Sequence, residues 1–238
     1  MFYVKVAGMT VGIDEKYPDV RQVCQDYIVP FHTASPLFTV RAEEKELQCM
    51  TRSVSWKKLE PGEAENMVIM RKIALRLPEY KAFLLHACVI QCRGMTIAFS
   101  APRGVGKTTH ARMWLEMFGD EARILNGDKP LVRISDEVVS VYGTPWSGKE
   151  GLAVNAVSRL SAIVFLGRGD EPKIEKLSVE ESARMLISSS YIPVDEEGKN
   201  RCIPILAQVV SAVPAFAAQV NLSEDSVKTI YEKVVAYV

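Results

Sequence analysis

Residues 95–114, MTIAFSAPRGVGKTTHARMW, contain the pattern that decides the fold of this chain. Met95–Phe99 is apolar and strand-like, a glycine-rich turn follows it and ends in Gly-Lys-Thr at 106–108, and a helical pattern begins at once. A strand, a glycine-rich turn and a helix N-terminus in this order form a P-loop, which binds phosphate groups. The strict motif begins with glycine. Ala101 replaces that glycine here, which the backbone tolerates if φ at this residue is negative.

The composition of this turn suits a nucleotide polyphosphate. Gly104 and Gly106 carry no Cβ, so the backbone can approach a phosphate closely and direct its N–H groups at it. Lys107 is expected to reach the β- and γ-phosphates, and the Thr108 hydroxyl is expected to ligate Mg²⁺. A Gly-Lys-Thr turn without a ligand is the alternative, but the flanking strand and helix favour the nucleotide. The candidate ATP-binding residues are therefore Arg103, Gly104, Val105, Gly106, Lys107, Thr108 and Thr109.

Composition and charge disfavour several classes of function. The 238-residue chain is 48% hydrophobic and 24% charged, and its formal net charge is zero. Such a chain is an ordinary globular protein, and its charge predicts neither a nucleic-acid nor a membrane partner. No apolar run approaches the roughly 18 residues of a membrane-spanning helix, and no signal peptide is visible, so we predict a cytoplasmic protein. The five cysteines show no metal-ligand spacing and are predicted to be buried free thiols.

The pattern along the chain predicts a single domain over residues 1–238, with residues 1–60 as a β-rich N-terminal portion packed on it. Phe2–Ile13 has the alternation of a strand or hairpin, and Pro36–Val40 and Val54–Lys57 are predicted as further short strands. The other predicted strands are 82–92, 95–100, 123–126, 130–134, 138–142, 160–166 and 215–220. The predicted helices are 65–77, 108–118, 178–189, 204–212 and a last helix that Ser223 caps.

Asp128 is the candidate acid of the site. If the helix after the P-loop is a crossover, the next strand returns parallel to 95–100 and ends at the same edge of the sheet. Asp128 lies just past that end, where it can meet Mg²⁺ or a nucleophile. An ordinary turn aspartate is equally compatible with the sequence.

His86 and Lys149 are the other candidates for the reacting end. His86 interrupts an apolar strand, and such a histidine is a core or edge residue unless its partners give it a role. Lys149 lies in the glycine-rich segment 143–151. That segment is either a solvated surface loop or a flexible lid that carries a cation for the transferred phosphoryl group.

These motifs follow one another in a recognisable order: His86, then SAPRGVGKTTH (100–110), then NGDKP (126–130), then YGTPWSGK (142–149). The order resembles the superfamily that joins the catalytic domain of HPr kinase/phosphorylase with ATP-type phosphoenolpyruvate carboxykinase. The small stand-alone bacterial proteins known as HPr kinase-like are the most similar, and the resemblance to them covers most of the chain. The resemblance to HPr kinase itself covers roughly residues 80–166.

The resemblance implies an α/β fold, namely a P-loop domain with a mixed, strongly curved sheet. It implies ATP and Mg²⁺, with the metal held by Thr108 and Asp128 and with Asp128 as the base. It also implies that His86 and Lys149 assist at the γ-phosphate. The family has two adjacent acids where this chain has Gly127 and Asp128, so one acid of the pair is absent here.

We therefore expect an ATP- and Mg²⁺-dependent kinase that transfers the γ-phosphoryl group to an unidentified hydroxyl acceptor, either a protein serine or a small molecule. A nucleotide-binding regulator without turnover is a second hypothesis, which the absent acid favours. A carboxykinase-like enzyme acting on a small organic acid is a third. The expected partners are the nucleotide and the acceptor, and the sequence leaves open whether the chain forms a homo-oligomer.

Overall fold

The computed structural model describes residues 1–31, 35–53 and 59–238. Within them it shows a mixed α/β protein with three sheets, two of which combine parallel and antiparallel strands. The chain divides into two compact units, Met1–Leu77 and Pro78–Val238. The predicted strand Val54–Lys57 lies outside the described residues. The packing of residues 1–60 on a single main domain stays a prediction.

The first unit contains a four-stranded sheet and, within its described residues, three α-helices. The strands are β1 (Phe2–Val6), β2 (Met9–Asp14), β3 (Ile28–Val29) and β4 (Phe38–Arg41), in the order β3-β1-β2-β4. The helices are α1 (Pro18–Val23), α2 (Glu44–Ser53) and α3 (Pro61–Arg76). β1 and β2 form an antiparallel hairpin, which confirms one of the two predictions for this segment. Helices α1 and α2 and the short strand β3 were not predicted.

The second unit contains two sheets. Its strands are β5 (Ala82–Leu84), β6 (Ala87–Cys92), β7 (Met95–Ser100), β8 (Ala122–Asn126), β9 (Leu131–Ser135), β10 (Val138–Tyr142), β11 (Val157–Arg159), β12 (Ala162–Arg168), β13 (Lys173–Lys176) and β14 (Ala215–Val220). The larger sheet has the order β13-β14-β12-β7-β6-β8, and the smaller has the order β11-β10-β9-β5. Strands β11 and β13 were not predicted. The strong curvature predicted for the sheet is not confirmed.

The larger sheet brings the ends of several strands to one edge. Strands β7, β12 and β14 are parallel, while β6 is antiparallel to both β7 and β8. Strand β8 therefore runs in the same direction as β7, with β6 between them. The carboxyl ends of β7 and β8 lie at one edge, where ligands of open α/β sheets gather.

The single strand predicted over residues 82–92 is wrong, because the chain changes sheets within it. Strand β5 pairs with β9 in the smaller sheet, and β6 pairs with β7 and β8 in the larger one. At the break, the Leu85 N–H donates to the Pro130 carbonyl at 3.0 Å and the His86 N–H donates to the Ser189 carbonyl at 2.7 Å. These bonds replace the regular ladder, and they place His86 at the junction of the two sheets.

The helices of the second unit are α4 (Lys107–Phe118), α5 (Val179–Ser189), α6 (Glu196–Ala212) and α7 (Glu224–Val235). The predicted capping box at Ser178 is present at the start of α5. Helix α6 begins earlier than the predicted Pro204, because the Asp195 side chain caps it by accepting from the Gly198 N–H at 2.7 Å. Among the described residues, no helix is long and apolar enough to cross a membrane.

Two hydrophobic clusters hold the second unit together. One includes Trp114 of α4 and Ile230 of α7 together with residues of the larger sheet, and the other joins α5, α6 and the smaller sheet. All five cysteines are free. Cys88 and Cys92 lie together in the first cluster, but Cys49 is exposed, which corrects the prediction that every thiol is buried.

His110 lies in the core beside Trp114, whose indole N–H donates to His110 Nε2 at 3.1 Å. Burial lowers the pKa of His110 to about 4, whereas an unfolded histidine has a pKa of about 6.5. Between these two pH values, His110 is protonated in the unfolded chain but stays neutral in the folded protein. We therefore expect the free energy of unfolding to fall by about 3 kcal/mol as the pH drops from about 6.5 to about 4.

The variant His110→Gln does not titrate in this range, so it should lose this part of the pH dependence. Chemical denaturation at about pH 7 and about pH 4.5 measures the difference. An equally steep loss of stability in the variant would show that other groups cause it.

Candidate functional site

The 101–106 loop connects β7 to α4, so the predicted order of strand, loop and helix is confirmed. Gly104 has a φ of +83° and Gly106 a φ of +113°, a left-handed conformation that favours glycine. No atom lies within 4 Å of the place where a Cβ on Gly104 would stand, so the backbone is open there. Ala101 does not have a positive φ, which explains why alanine is tolerated at the first position.

Helix α4 begins directly after the loop, so its first backbone N–H groups lie at the edge of the larger sheet where β7 ends. Gly106 is its N-cap and supplies no side-chain cap, and Thr108 and Thr109 lie in the first turn. The first N–H groups of a helix have no partner within it and carry a partial positive charge, which attracts anions. Thr109 is exposed and Thr108 is half-buried.

Lys107 folds back over the loop. Its ammonium donates to the Ala101 carbonyl at 2.8 Å, and the residue is only 9% exposed. Burial lowers the pKa of Lys107, the Asp128 carboxylate opposes this shift, and the Lys129 ammonium adds to it. The charge of Asp128 therefore acts on Lys107, and both residues lie at the sheet edge where β7 and β8 end.

Asp128 is held by two basic side chains. Its Oδ1 lies 3.3 Å from His86 Nε2 and 3.2 Å from Lys129 Nζ. Burial alone raises the pKa of Asp128, but the hydrogen bond from His86 and the charge of Lys129 more than offset it, so the pKa is lowered. The carboxylate is therefore ionised at neutral pH. His86 faces this carboxylate instead of lying in the apolar core.

Asn126 and Thr144 fix the turn that carries Asp128. Asn126 is fully buried, and its Oδ1 accepts from the N–H groups of Asp128 at 3.0 Å and Lys129 at 2.9 Å. Its Nδ2 donates to the Thr144 carbonyl at 3.0 Å, and Thr144 Oγ1 donates to the Lys129 carbonyl at 2.6 Å. Sequence reasoning missed these residues. The only signal was an asparagine in front of a glycine at the end of a strand.

The 143–151 segment is packed in its first part and exposed at its tip. Trp146 is buried and its carbonyl accepts from the Lys129 N–H at 3.0 Å, whereas Lys149 is exposed. Gly148 lies against Asp128, since a Cβ on Gly148 would be 3.0 Å from the Asp128 Cβ. Glu150 pairs with Arg112 of α4 at 2.5 Å. The exposed tip agrees with a solvated surface loop, and the lid hypothesis and the role of Lys149 stay predictions.

Arg103 and Arg168 complete the surroundings of the loop. Arg103 is exposed within it. Arg168, at the end of β12, donates to the Gly104 carbonyl at 2.6 Å and so holds the loop from the neighbouring strand. Sequence reasoning missed Arg168, because only the parallel pairing of β12 with β7 brings it to this edge.

Gly127 lies in a turn that leaves no room for a side chain at this position. A Cβ at residue 127 would lie 2.8 Å from the Ser147 carbonyl oxygen, which is backbone and cannot swing away. The Gly127 N–H also donates to the Leu152 carbonyl at 2.8 Å, so the turn is held from both sides. No larger residue fits here without a shift of the 143–151 segment.

Gly127→Ala is therefore expected to lower the free energy of unfolding by about 1–3 kcal/mol, a typical cost of overpacking. A thermal melt of the variant measures the loss, and Gly94→Ala offers a contrast. A Cβ on Gly94 would meet no atom within 4 Å, although its φ of +80° makes alanine strained there. A Gly127→Ala protein as stable as the wild type would contradict the close packing of this turn.

The structure thus brings Lys107, His86 and Asp128 to one edge of the larger sheet. Among the described residues, no group of three or more His, Cys, Asp or Glu side chains could hold a metal ion by itself. Mg²⁺ usually has one or two carboxylates and fills its shell with phosphate oxygens and water. The single acid Asp128 with Thr108 fits that donor set.

No family model and no curated protein matches the sequence of this chain. The structure is similar to that of the Hpr(Ser) kinase/phosphatase from Coxiella burnetii, with a TM-score of 0.37 and 9% sequence identity. The similarity covers 64% of this chain and 98% of that one. The relationship is distant, and function has to be argued from the residues of this chain.

Proposed function

We propose that this protein binds ATP with Mg²⁺ at the 101–106 loop and transfers the γ-phosphoryl group to a hydroxyl acceptor. The proposal rests on one observation: the loop and Asp128 lie at the same edge of the larger sheet. The loop and the Asp128–His86 contact lie together, because Ala87 pairs with Ser100 at the end of β7 and β8 ends beside them. A phosphate loop next to an ionised carboxylate has the parts that phosphoryl transfer requires.

The loop and the first turn of α4 are the proposed phosphate site. The backbone N–H groups of residues 103–109 would bind the phosphate oxygens, and Lys107 would leave the Ala101 carbonyl for the β- and γ-phosphates. Arg168 keeps the loop in place through the Gly104 carbonyl. Lys149, on the exposed tip beside Asp128, is proposed as a further cation at the γ-phosphate.

Asp128 is proposed to have two roles at the reacting end. With Thr108 it would hold Mg²⁺, which, when bound, neutralises phosphate charge. Its carboxylate would also take the proton of the acceptor hydroxyl as the oxygen attacks the γ-phosphorus and ADP leaves. His86 holds the carboxylate through Oδ1. Catalysis of this type depends mainly on positioning and charge neutralisation.

Transfer of label from γ-³²P-ATP tests the proposal. The wild-type protein is incubated with Mg²⁺, labelled ATP and fractionated bacterial lysate, and the label is followed into protein and into small molecules. We expect Mg²⁺-dependent label in one fraction, the same label with Asp120→Asn, and at least about a hundredfold less with Asp128→Asn. Asp120 is an exposed aspartate outside the site, so its variant is a matched control. Label that does not depend on Asp128 would contradict the proposal.

A nucleotide-binding regulator without turnover is the second candidate. The close packing around Gly127 favours it, because no second acid can share the work of Asp128. Binding of Mg²⁺–ATP without transfer to any fraction would support this candidate over the kinase.

A further inference from the structure

Lys129 is a mostly buried cation beside the proposed reacting end. Its side chain is 13% exposed, and its ammonium lies 3.2 Å from Asp128 Oδ1 and 5.7 Å from the centre of the Tyr191 ring. Its backbone is fixed as well, since its N–H donates to Asn126 Oδ1 and its carbonyl accepts from Thr144 Oγ1. Burying an ammonium group costs free energy unless an anion offsets it. Asp128 is the anion that offsets this cost for Lys129.

The two carboxylate oxygens of Asp128 differ in their contacts. His86 and Lys129 both lie on Oδ1. Among the described residues, no donor contacts Oδ2, which lies on the side of Gly148, 3.8 Å from where a Cβ on that residue would be. One oxygen is therefore held in place, while the other remains available for a ligand.

Lys129 also lies on the side of the site where the phosphates are proposed to bind. It belongs to the turn after β8, whose carboxyl end shares one edge of the larger sheet with the end of β7 and the 101–106 loop. Lys107 lies at this edge as well, with its ammonium on the Ala101 carbonyl. Two lysines thus contribute positive charge beside the 101–106 loop, one from the first residue of α4 and one from the 126–129 turn. A polyphosphate in the loop would be attracted by both, whereas a free divalent cation on Asp128 would be repelled by Lys129.

We propose that Lys129 is a positioning residue of this site: it holds Asp128 through Oδ1, leaves Oδ2 for the metal or the acceptor, and adds its charge to that of Lys107 in attracting the phosphates. This proposal rests on the proposed function. Position 127 has no room for a second acid beside Asp128. The proposal therefore makes Lys129 the second charged group of this turn.

Titration calorimetry with two separate probes tests the role of Lys129. The first probe is ATP in EDTA, without metal, and the second is Mn²⁺ alone. Lys129→Met should weaken ATP binding about tenfold and should strengthen Mn²⁺ binding at least about threefold, because loss of a positive charge affects an anion and a cation oppositely. Lys129→Arg keeps the charge and should stay within about threefold of the wild type for both probes.

Two further variants make the result specific. Lys173→Met removes an exposed lysine of β13 and should change neither affinity. In an Asp128→Asn background, Lys129→Met should no longer strengthen Mn²⁺ binding, because the gain acts through that carboxylate. If Lys129→Met does not fold in a thermal melt, Lys129→Gln replaces it in every arm.

The outcomes separate this proposal from the function on which it rests. If Lys129→Met weakens both probes alike, Lys129 is merely structural and the proposal is overturned. It is also overturned if Lys129→Met matches Lys173→Met while the wild type binds ATP, and the proposed function then stands. A wild-type protein that binds no ATP, with or without Mg²⁺, overturns the proposed function itself.

Discussion

Asp128→Asn is expected to reduce phosphoryl transfer at least about a hundredfold while ATP affinity stays within about tenfold of the wild type. The amide keeps the shape of the side chain but can neither take a proton nor offer a charged oxygen to Mg²⁺. A hundredfold loss corresponds to about 2.7 kcal/mol of transition-state stabilisation. The phosphates should still bind, because the loop backbone and Lys107 supply most of their contacts.

Single-turnover transfer of labelled phosphate and calorimetric binding of Mg²⁺–ATP measure the two quantities separately. The lowered pKa of Asp128 means that the wild-type carboxylate is ionised at neutral pH, so the comparison is made between a charged and a neutral side chain. Asp120→Asn is the control. Near-normal turnover in Asp128→Asn would show that the metal and the base were assigned to the wrong residue.

Lys107→Met is expected to weaken ATP binding at least about a hundredfold, a loss of about 2.7 kcal/mol of binding free energy. Methionine keeps the length and apolar stem of the lysine and removes only the ammonium. The variant leaves the Ala101 carbonyl without the donor that it has at 2.8 Å. It also removes the cost of burying a charge, so we expect the free energy of unfolding to change by no more than about 1 kcal/mol.

The thermal shift on addition of Mg²⁺–ATP checks this prediction, with the ligand-free melt as the measure of stability. Lys228→Met, at a lysine of α7 that pairs with Glu224, should keep the full shift. An ATP-induced shift in Lys107→Met as large as in the wild type would contradict the assignment of the phosphate loop.

Local sequence signals predicted the elements that need no distant partner. The strand, loop and helix of residues 95–118 and the capping box at Ser178 depend on residues close together in the chain, and the structure contains them. Helices α1 and α2 were missed because they bury little: Val20 is buried in α1 and Leu47 in α2. Strands β11 and β13 are mostly exposed, so they lack the apolar pattern that marks a strand.

The arrangement of the site depended on contacts between distant segments. The change of sheet at Leu85–His86 is set by the carbonyls of Pro130 and Ser189, which no local pattern links to His86. Asn126 and Thr144 likewise meet only when the 143–151 segment folds over the turn. The sequence could therefore nominate Lys107, His86 and Asp128, but it could not show how Asp128 is held.

The location of the nucleotide is the central claim, and amide chemical shifts of ¹⁵N-labelled protein test it most directly. The protein is titrated with Mg²⁺ and a non-hydrolysable ATP analogue, and each backbone N–H is followed separately. We predict saturable changes that are largest at residues 103–109 and 127–129. Largest changes elsewhere, for example along α7, or no change at millimolar analogue, would contradict this account of the protein.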